Sequence, residues 1–175
     1  PNFKHNTNRK KMTALQSQAS ANIFAPSSVI EIRVLGQPAP QGSKTVTRWG
    51  AVRESSKKVH PWRHSVAYAC ETSYNGPVLH DPVSVEITFY IPRAKSHYGT
   101  GRNAGRLKPS APMHCTTARA GDIDKLARST LDGLAVRSGG CLIADDSQVV
   151  CLRLLKKYAE GDQCSGALVR VSILS

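Results

Sequence analysis

Acidic side chains are scarce in this sequence. Twelve Asp and Glu stand against 24 Lys and Arg in 175 residues, and none falls in residues 1–28 or 92–121. The deficit leaves a formal net charge of +12 and an isoelectric point near 9.8. It is uneven: residues 1–120 hold 17 basic and 5 acidic side chains, residues 121–175 hold 7 of each. Such asymmetry argues against a cationic partner and points to a polyanion, most often nucleic acid. The competing reading is a solvated basic surface kept for solubility. No apolar run approaches the ~18 residues of a membrane span, and the N-terminal stretch has no signal-peptide core. A soluble, cytoplasmic protein without a membrane partner is expected. The five cysteines, Cys70, Cys115, Cys141, Cys151 and Cys164, form no CxxC pair. Neither a disulfide framework nor a zinc site is expected, and the thiols read as reduced and buried. A GxxxxGK[ST] loop, HExxH, HxH and GxSxG are all missing, and His60 and His64 lack a third partner. Nucleophilic Ser or Cys catalysis therefore has no support, and no organic cofactor is expected.

What is present fits one domain. Residues 1–28 read as a disordered basic arm, too polar to order themselves, and residues 29–175 as the folded domain. Ile30, Ile32 and Val34 alternate with Glu31, Arg33 and Leu35, a strand signal. Gly36 to Gly42 break it. A short hairpin is expected around Gly50. Pro61 suits the first position of a helix reaching about Tyr74. Val83, Val85, Ile87, Phe89 and Ile91 mark the clearest strand, stopped by Pro92. The acid-free stretch 92–121 is a long loop, of the kind that is usually functional. A helix is expected over Lys125–Leu134, then a strand from Val149 to about Leu155. That strand is apolar on both parities and reads as central. Val169, Val171 and Ile173 make the last strand. The pattern predicts an α+β fold, a mixed or antiparallel sheet with about two main helices.

Five of the twelve acids lie between residues 122 and 146: Asp122, Asp124, Asp132, Asp145 and Asp146. On an extended segment the Asp122 and Asp124 carboxylates would share one side, roughly 6.5–7 Å apart along the backbone. Such a pair can hold a hard cation such as Mg²⁺, which prefers oxygen ligands, and a third carboxylate from Asp145-Asp146 would close the site. Each motif alone has a plainer reading, Asp124 as a helix N-cap and Asp145-Asp146 as a turn. Together, carboxylates beside a basic loop are the layout of a metal-dependent nuclease. Arg128 falls on the same helix face as Asp124. It is either a local ion pair or a guanidinium for the scissile phosphate, with Asp132 placed to orient it. In loop 92–121, Arg93, Lys95, Arg102, Arg106, Lys108 and Arg119 suit phosphate contact, as does Lys125 beyond it.

The segments GDIDKLARSTLDGL and ADDSQVVCLRLLKKY resemble the RusA family of Holliday-junction resolvases, frequent in phages and prophages. The likeness is strong over residues 121–158. Upstream, GQPAPQGSKTVTR, VSVEITFYIPR and KSHYGTGRNAGRLKPSAP extend it to about residues 29–175, similar to the longer actinobacteriophage-type members. The resemblance implies a homodimeric, Mg²⁺-dependent endonuclease (Mn²⁺ as substitute) that resolves four-way DNA junctions by paired symmetric nicks in recombination and repair. It implies Asp122, Asp124 and Asp146 as metal ligands, with Asp145 the neighbouring acid. Lys125 stands where the family usually has Asn, and Arg128 where a catalytic Lys is usual. Arg keeps the charge but cannot give up a proton, so charge stabilisation survives and proton transfer does not. Two rivals are a non-catalytic junction-binding protein, a decayed resolvase, and a DxD glycosyltransferase. The latter needs a nucleotide-sugar domain for which 175 residues leave little room, and its acceptor would not explain +12.

Overall fold

The computed structural model describes residues 29–174 except 43, 47, 51, 55 and 162. The expected basic arm, residues 1–28, lies outside the described residues. In chain order the elements are β1 (Val29–Leu35), β2 (Lys44–Val46), β3 (Val52–Glu54), α1 (Val59–Ser73), β4 (Val83–Ile91), α2 (Ile123–Leu134), β5 (Val149–Tyr158) and β6 (Gly166–Ile173). Short 3₁₀ turns punctuate the loops.

Period-two alternation builds the frame. On β4, Val83, Val85, Ile87, Phe89 and Ile91 all point to the buried face. The four-stranded sheet runs β1-β6-β4-β5. β6 is antiparallel to both β1 and β4, while β4 and β5 are parallel. The sheet is therefore mixed, and with two helices the domain is α+β. β2 and β3 form a separate antiparallel hairpin. Among the described residues no helix is long and apolar enough to cross a membrane.

Both helices cover one face. α1 buries Val59, Trp62, Val66, Ala69 and Cys70; α2 buries Leu126, Ala127, Thr130, Leu131 and Leu134. Pro61 is the third residue of α1, not the first. The helices meet closely because Gly133 has no side chain: a Cβ there would lie 2.7 Å from Val66 Cβ. Beside it Trp62 Nε1 donates to Thr130 Oγ1 at 3.0 Å in the core, and Arg63 pairs with Asp132. The other sheet face is open. There Arg170 bridges Glu31 at 3.0 Å and Glu86 at 3.7 Å.

β5 corrects one expectation. It is not central but an outer strand. Its two-sided apolar pattern leaves Leu152 40% exposed on the helix side and Leu155 53% exposed on the open face, while Val150, 63% exposed, is the residue skipped where the register shifts. Apolar side chains on both parities indicate surfaces to be covered; they do not say that strands do the covering.

Loop 92–121 is folded on itself. Lys108 N–H donates to His97 O and Gly99 N–H to Arg106 O, each at 2.9 Å. It leaves β4 at Ile91 and delivers the chain to α2.

Candidate nuclease site

The start of α2 is fixed by a turn that only glycine makes without strain. Gly121 has φ +78° and ψ 158°, a backbone region open essentially to glycine alone that costs other residues roughly 1–3 kcal/mol. Its missing side chain also leaves room for Pro40, whose Cγ would lie 3.0 Å from a Cβ. Pro40 belongs to a strap, residues 38–41, drawn across α2. Ser129 Oγ donates to Ala39 O at 2.6 Å, and Gln41 N–H donates to Lys125 O at 3.0 Å.

Immediately after Gly121, Asp122 takes the N-cap position with extended backbone, and Asp124 lies in the first helical turn. The pair thus straddles the helix start and does not share an extended segment. Asp122, not Asp124, is the cap residue, and its side chain makes no capping hydrogen bond. The positive end of the helix dipole favours both carboxylates. Both are exposed, and both line a shallow hollow of about 560 Å³ between α2, residues 114–116 and the end of β5.

Cations set the electrostatics here. Lys125 Nζ donates to Asp122 Oδ2 at 2.6 Å. That bond holds the Asp122 carboxyl below the usual carboxylate range and raises the Lys125 ammonium. Lys156, also on the hollow, donates from Nζ to Gly121 O at 2.5 Å and adds to the effect on Asp122. Lys125 is therefore engaged with a carboxylate. Among the described residues the Asp124 side chain has no hydrogen bond or ion pair, though its charge adds to the rise at Lys125.

Arg128 is exposed one turn after Asp124 and, among the described residues, pairs with neither Asp124 nor Asp132. The expectation that Asp132 orients it is corrected: Asp132 is held by Arg63 from α1.

Asp145 is a cap. It accepts from Ser147 N–H at 3.0 Å, while Gln148 Oε1 accepts from Asp145 N–H at 2.9 Å. The Ser147 hydrogen bonds, with Arg137 at 3.2 Å, hold its carboxyl down at about 2. Asp146 is exposed on the same turn, which lies beside α2, but it does not line the hollow. Among the described residues no three of His, Cys, Asp or Glu are grouped to hold a metal. The structure sets Asp122 and Asp124 on one hollow, which neither Asp145 nor Asp146 lines. Two exposed carboxylates still suit Mg²⁺, which commonly binds through one or two of them and keeps its waters for substrate phosphate to replace.

Around this centre the expected phosphate contacts divide. Arg93 has only 5% of its side chain exposed, donates to Pro112 O at 2.9 Å, meets Glu160 at 3.3 Å and lies 4.2 Å above the Tyr158 ring. It is a packing residue. Lys95, Arg102, Arg106 and Arg119 are exposed and form no ion pairs among the described residues. Lys108 is exposed, with Nζ donating to Ser96 O at 3.0 Å. Lys95 and Arg119 also rim a cavity of about 700 Å³ beside Tyr158.

Sequence reasoning passed over Lys156 and the strap. Lys156 had a usable signal, since strand parity sets it on the helix-side face at the end of β5. Nothing in Pro38–Gln41 beyond its prolines announces a segment that crosses a helix.

No curated protein matches the chain significantly. The family model described as endodeoxyribonuclease RusA does match, over residues 36–171, from the strap through α2 to the last strand. With most of its length inside that match, the chain belongs to the RusA endodeoxyribonuclease family.

Proposed function

We propose that this protein is a Mg²⁺-dependent endonuclease that resolves four-way DNA junctions by paired nicks in recombination and repair, and that it works as a homodimer. The observation that carries the reading is the exposed Asp122–Asp124 pair at the start of α2, in a domain whose adjoining loop is acid-free and rich in exposed cations. Mg²⁺, or Mn²⁺ in its place, would be held by Asp122 and Asp124, with Asp146 as the proposed third carboxylate. When bound it supplies Lewis-acid stabilisation of charge at the phosphate. Lys125 and Lys156 keep Asp122 ionised and ready for the cation. Arg128, exposed on the helix and without an ion pair among the described residues, balances negative charge on the scissile phosphodiester. Lys95, Arg102, Arg106, Lys108 and Arg119 hold the flanking backbone through phosphate contacts. The apolar edge of β5 gives a second copy a surface to cover, and a two-fold dimer presents two equal sites to a junction of similar symmetry.

Cleavage of a synthetic four-way junction at saturating protein tests the reading. Cutting is expected with Mg²⁺ or Mn²⁺ and none with EDTA. Asp122→Asn and Asp124→Asn should abolish cutting and keep junction binding. Arg128→Ala should slow the step roughly 10²–10³-fold, and Arg128→Lys should recover much of it. Asp146→Asn separates a ligand from a bystander. Metal-independent binding with no cutting under any of these conditions would leave the non-catalytic alternative.

A further inference from the structure

The thiols of Cys70 and Cys141 meet although 71 positions separate them in the chain. Cys70 lies on the last turns of α1 and is fully buried. Cys141 is half-buried in the connector between α2 and β5. Their Sγ atoms are 2.6 Å apart, closer than two sulfurs that merely touch. Backbone bonds fix both sides of the contact: Tyr74 N–H donates to Cys70 O at 2.9 Å, Gly140 N–H to Ala135 O at 2.8 Å, and Leu142 N–H to Leu134 O at 3.0 Å. Leu142 and Ile143, next along the connector, are fully buried. The meeting of the two sulfurs is therefore a property of the folded core and not of a wandering loop.

We propose that Cys70 and Cys141 are a modification site: a dithiol pair that small-molecule disulfides of the glutathione class convert reversibly to an intramolecular disulfide. The other cysteines differ. Cys164 is exposed, and Cys115 is buried beside Tyr158 and Arg93. Cys141 is the partner a small molecule can reach. Burial pushes the Cys70 thiol well up, so it does not act first. Cys141 loses its proton to water, and its thiolate attacks one sulfur of the small disulfide. That S–S bond breaks, and one small thiolate leaves and is protonated. Cys70 then gives up its proton and attacks Cys141 Sγ, expelling the second small thiol. The two protein thiols lose two electrons, and the small disulfide gains them as two thiols.

The product ties the end of α1 to the connector that leads to Asp145 and Asp146. Closing a loop of this length restricts the unfolded chain. The melting midpoint should rise by roughly 5–10 °C, a rise that dithiothreitol reverses.

The test incubates the full chain with oxidised glutathione under native conditions, alkylates it after denaturation, and maps the peptides by mass spectrometry. A Cys70–Cys141 cross-linked peptide, lost on reduction, is expected. Cys164 carrying glutathione reports that the oxidant acted. Cross-link and thermal shift should both vanish in Cys141→Ala, whose substitution site is not in the fully buried core. Glutathionylated Cys164 with both Cys70 and Cys141 alkylated would overturn the proposal. So would glutathione retained on Cys141 with Cys70 still a thiol.

Discussion

Gly121 decides where Asp122 points. It combines a positive φ with the close approach of Pro40, so Gly121→Ala meets two obstacles at once. A stability loss of about 1–3 kcal/mol from the backbone conformation alone is expected in urea titration. Cleavage should fall by more than that loss explains, because the carboxylate next in sequence moves with the turn. Asp145 shows a different residue-scale effect. Its carboxyl is held at about 2 when folded, against 3.8 for the ordinary group, chiefly by Ser147 and then Arg137. A depressed folded pKa stabilises the fold above the unfolded value and loses that contribution as pH falls through the folded one. The urea midpoint should therefore drop between about pH 4 and pH 2, and Asp145→Asn should flatten that part of the profile. At this scale the sequence was readable for which acids cluster, since a basic chain makes them conspicuous. It was not readable for their roles. Whether Asp145 caps a turn or faces a cation depends on Ser147, Gln148 and Arg137 folding back on it, and spacing alone does not record that.

Among the elements, α2 carries most of the argument. It offers carboxylates at its first turn, Arg128 on its exposed face, and a groove at Gly133 that admits α1. A mid-helix glycine costs about 1 kcal/mol in propensity relative to alanine. Here that cost is offset by the close contact with Val66 and the backbone of Arg63. Gly133→Ala should consequently destabilise, by roughly 1–3 kcal/mol after the propensity gain, measured as a lower denaturant midpoint with an unchanged slope. An increase in stability would mean that the helices separate easily. Period-two and helical patterns located β1, β4, α2 and β6 well, because one face of each meets the core. They misplaced β5, because parity records which sheet faces are apolar and not whether a second strand lies alongside, and they missed the strap. The strap binds through backbone carbonyls and amides, which every residue type possesses.

For the whole molecule, the exposed apolar edge of β5 is a liability for a lone chain. In the proposed dimer it is covered. Val150→Glu with Leu152→Glu should shift the sedimenting species from dimer to monomer at micromolar concentration, and an unchanged dimer would place the interface elsewhere. Charge asymmetry was legible in the composition, whereas which cations stay at the surface was not. Arg93 looks no different from Arg102 until Tyr158 and Glu160 are seen to enclose it. The parallel pairing of β4 and β5 carries a consequence for descent and design. Everything between Ile91 and Val149 is one continuous crossover, and it contains the cationic loop, both carboxylate groups and α2. The antiparallel β1-β6-β4 frame closes without it. Residues 92–148 thus behave as an exchangeable cassette, with its ends set by two neighbouring strands. Homologous exchange within a family could replace the proposed DNA-facing surface in one event and leave the sheet register untouched. The incoming block has two fitting conditions, a glycine to receive Pro40 and a helix with room for Trp62 and Val66.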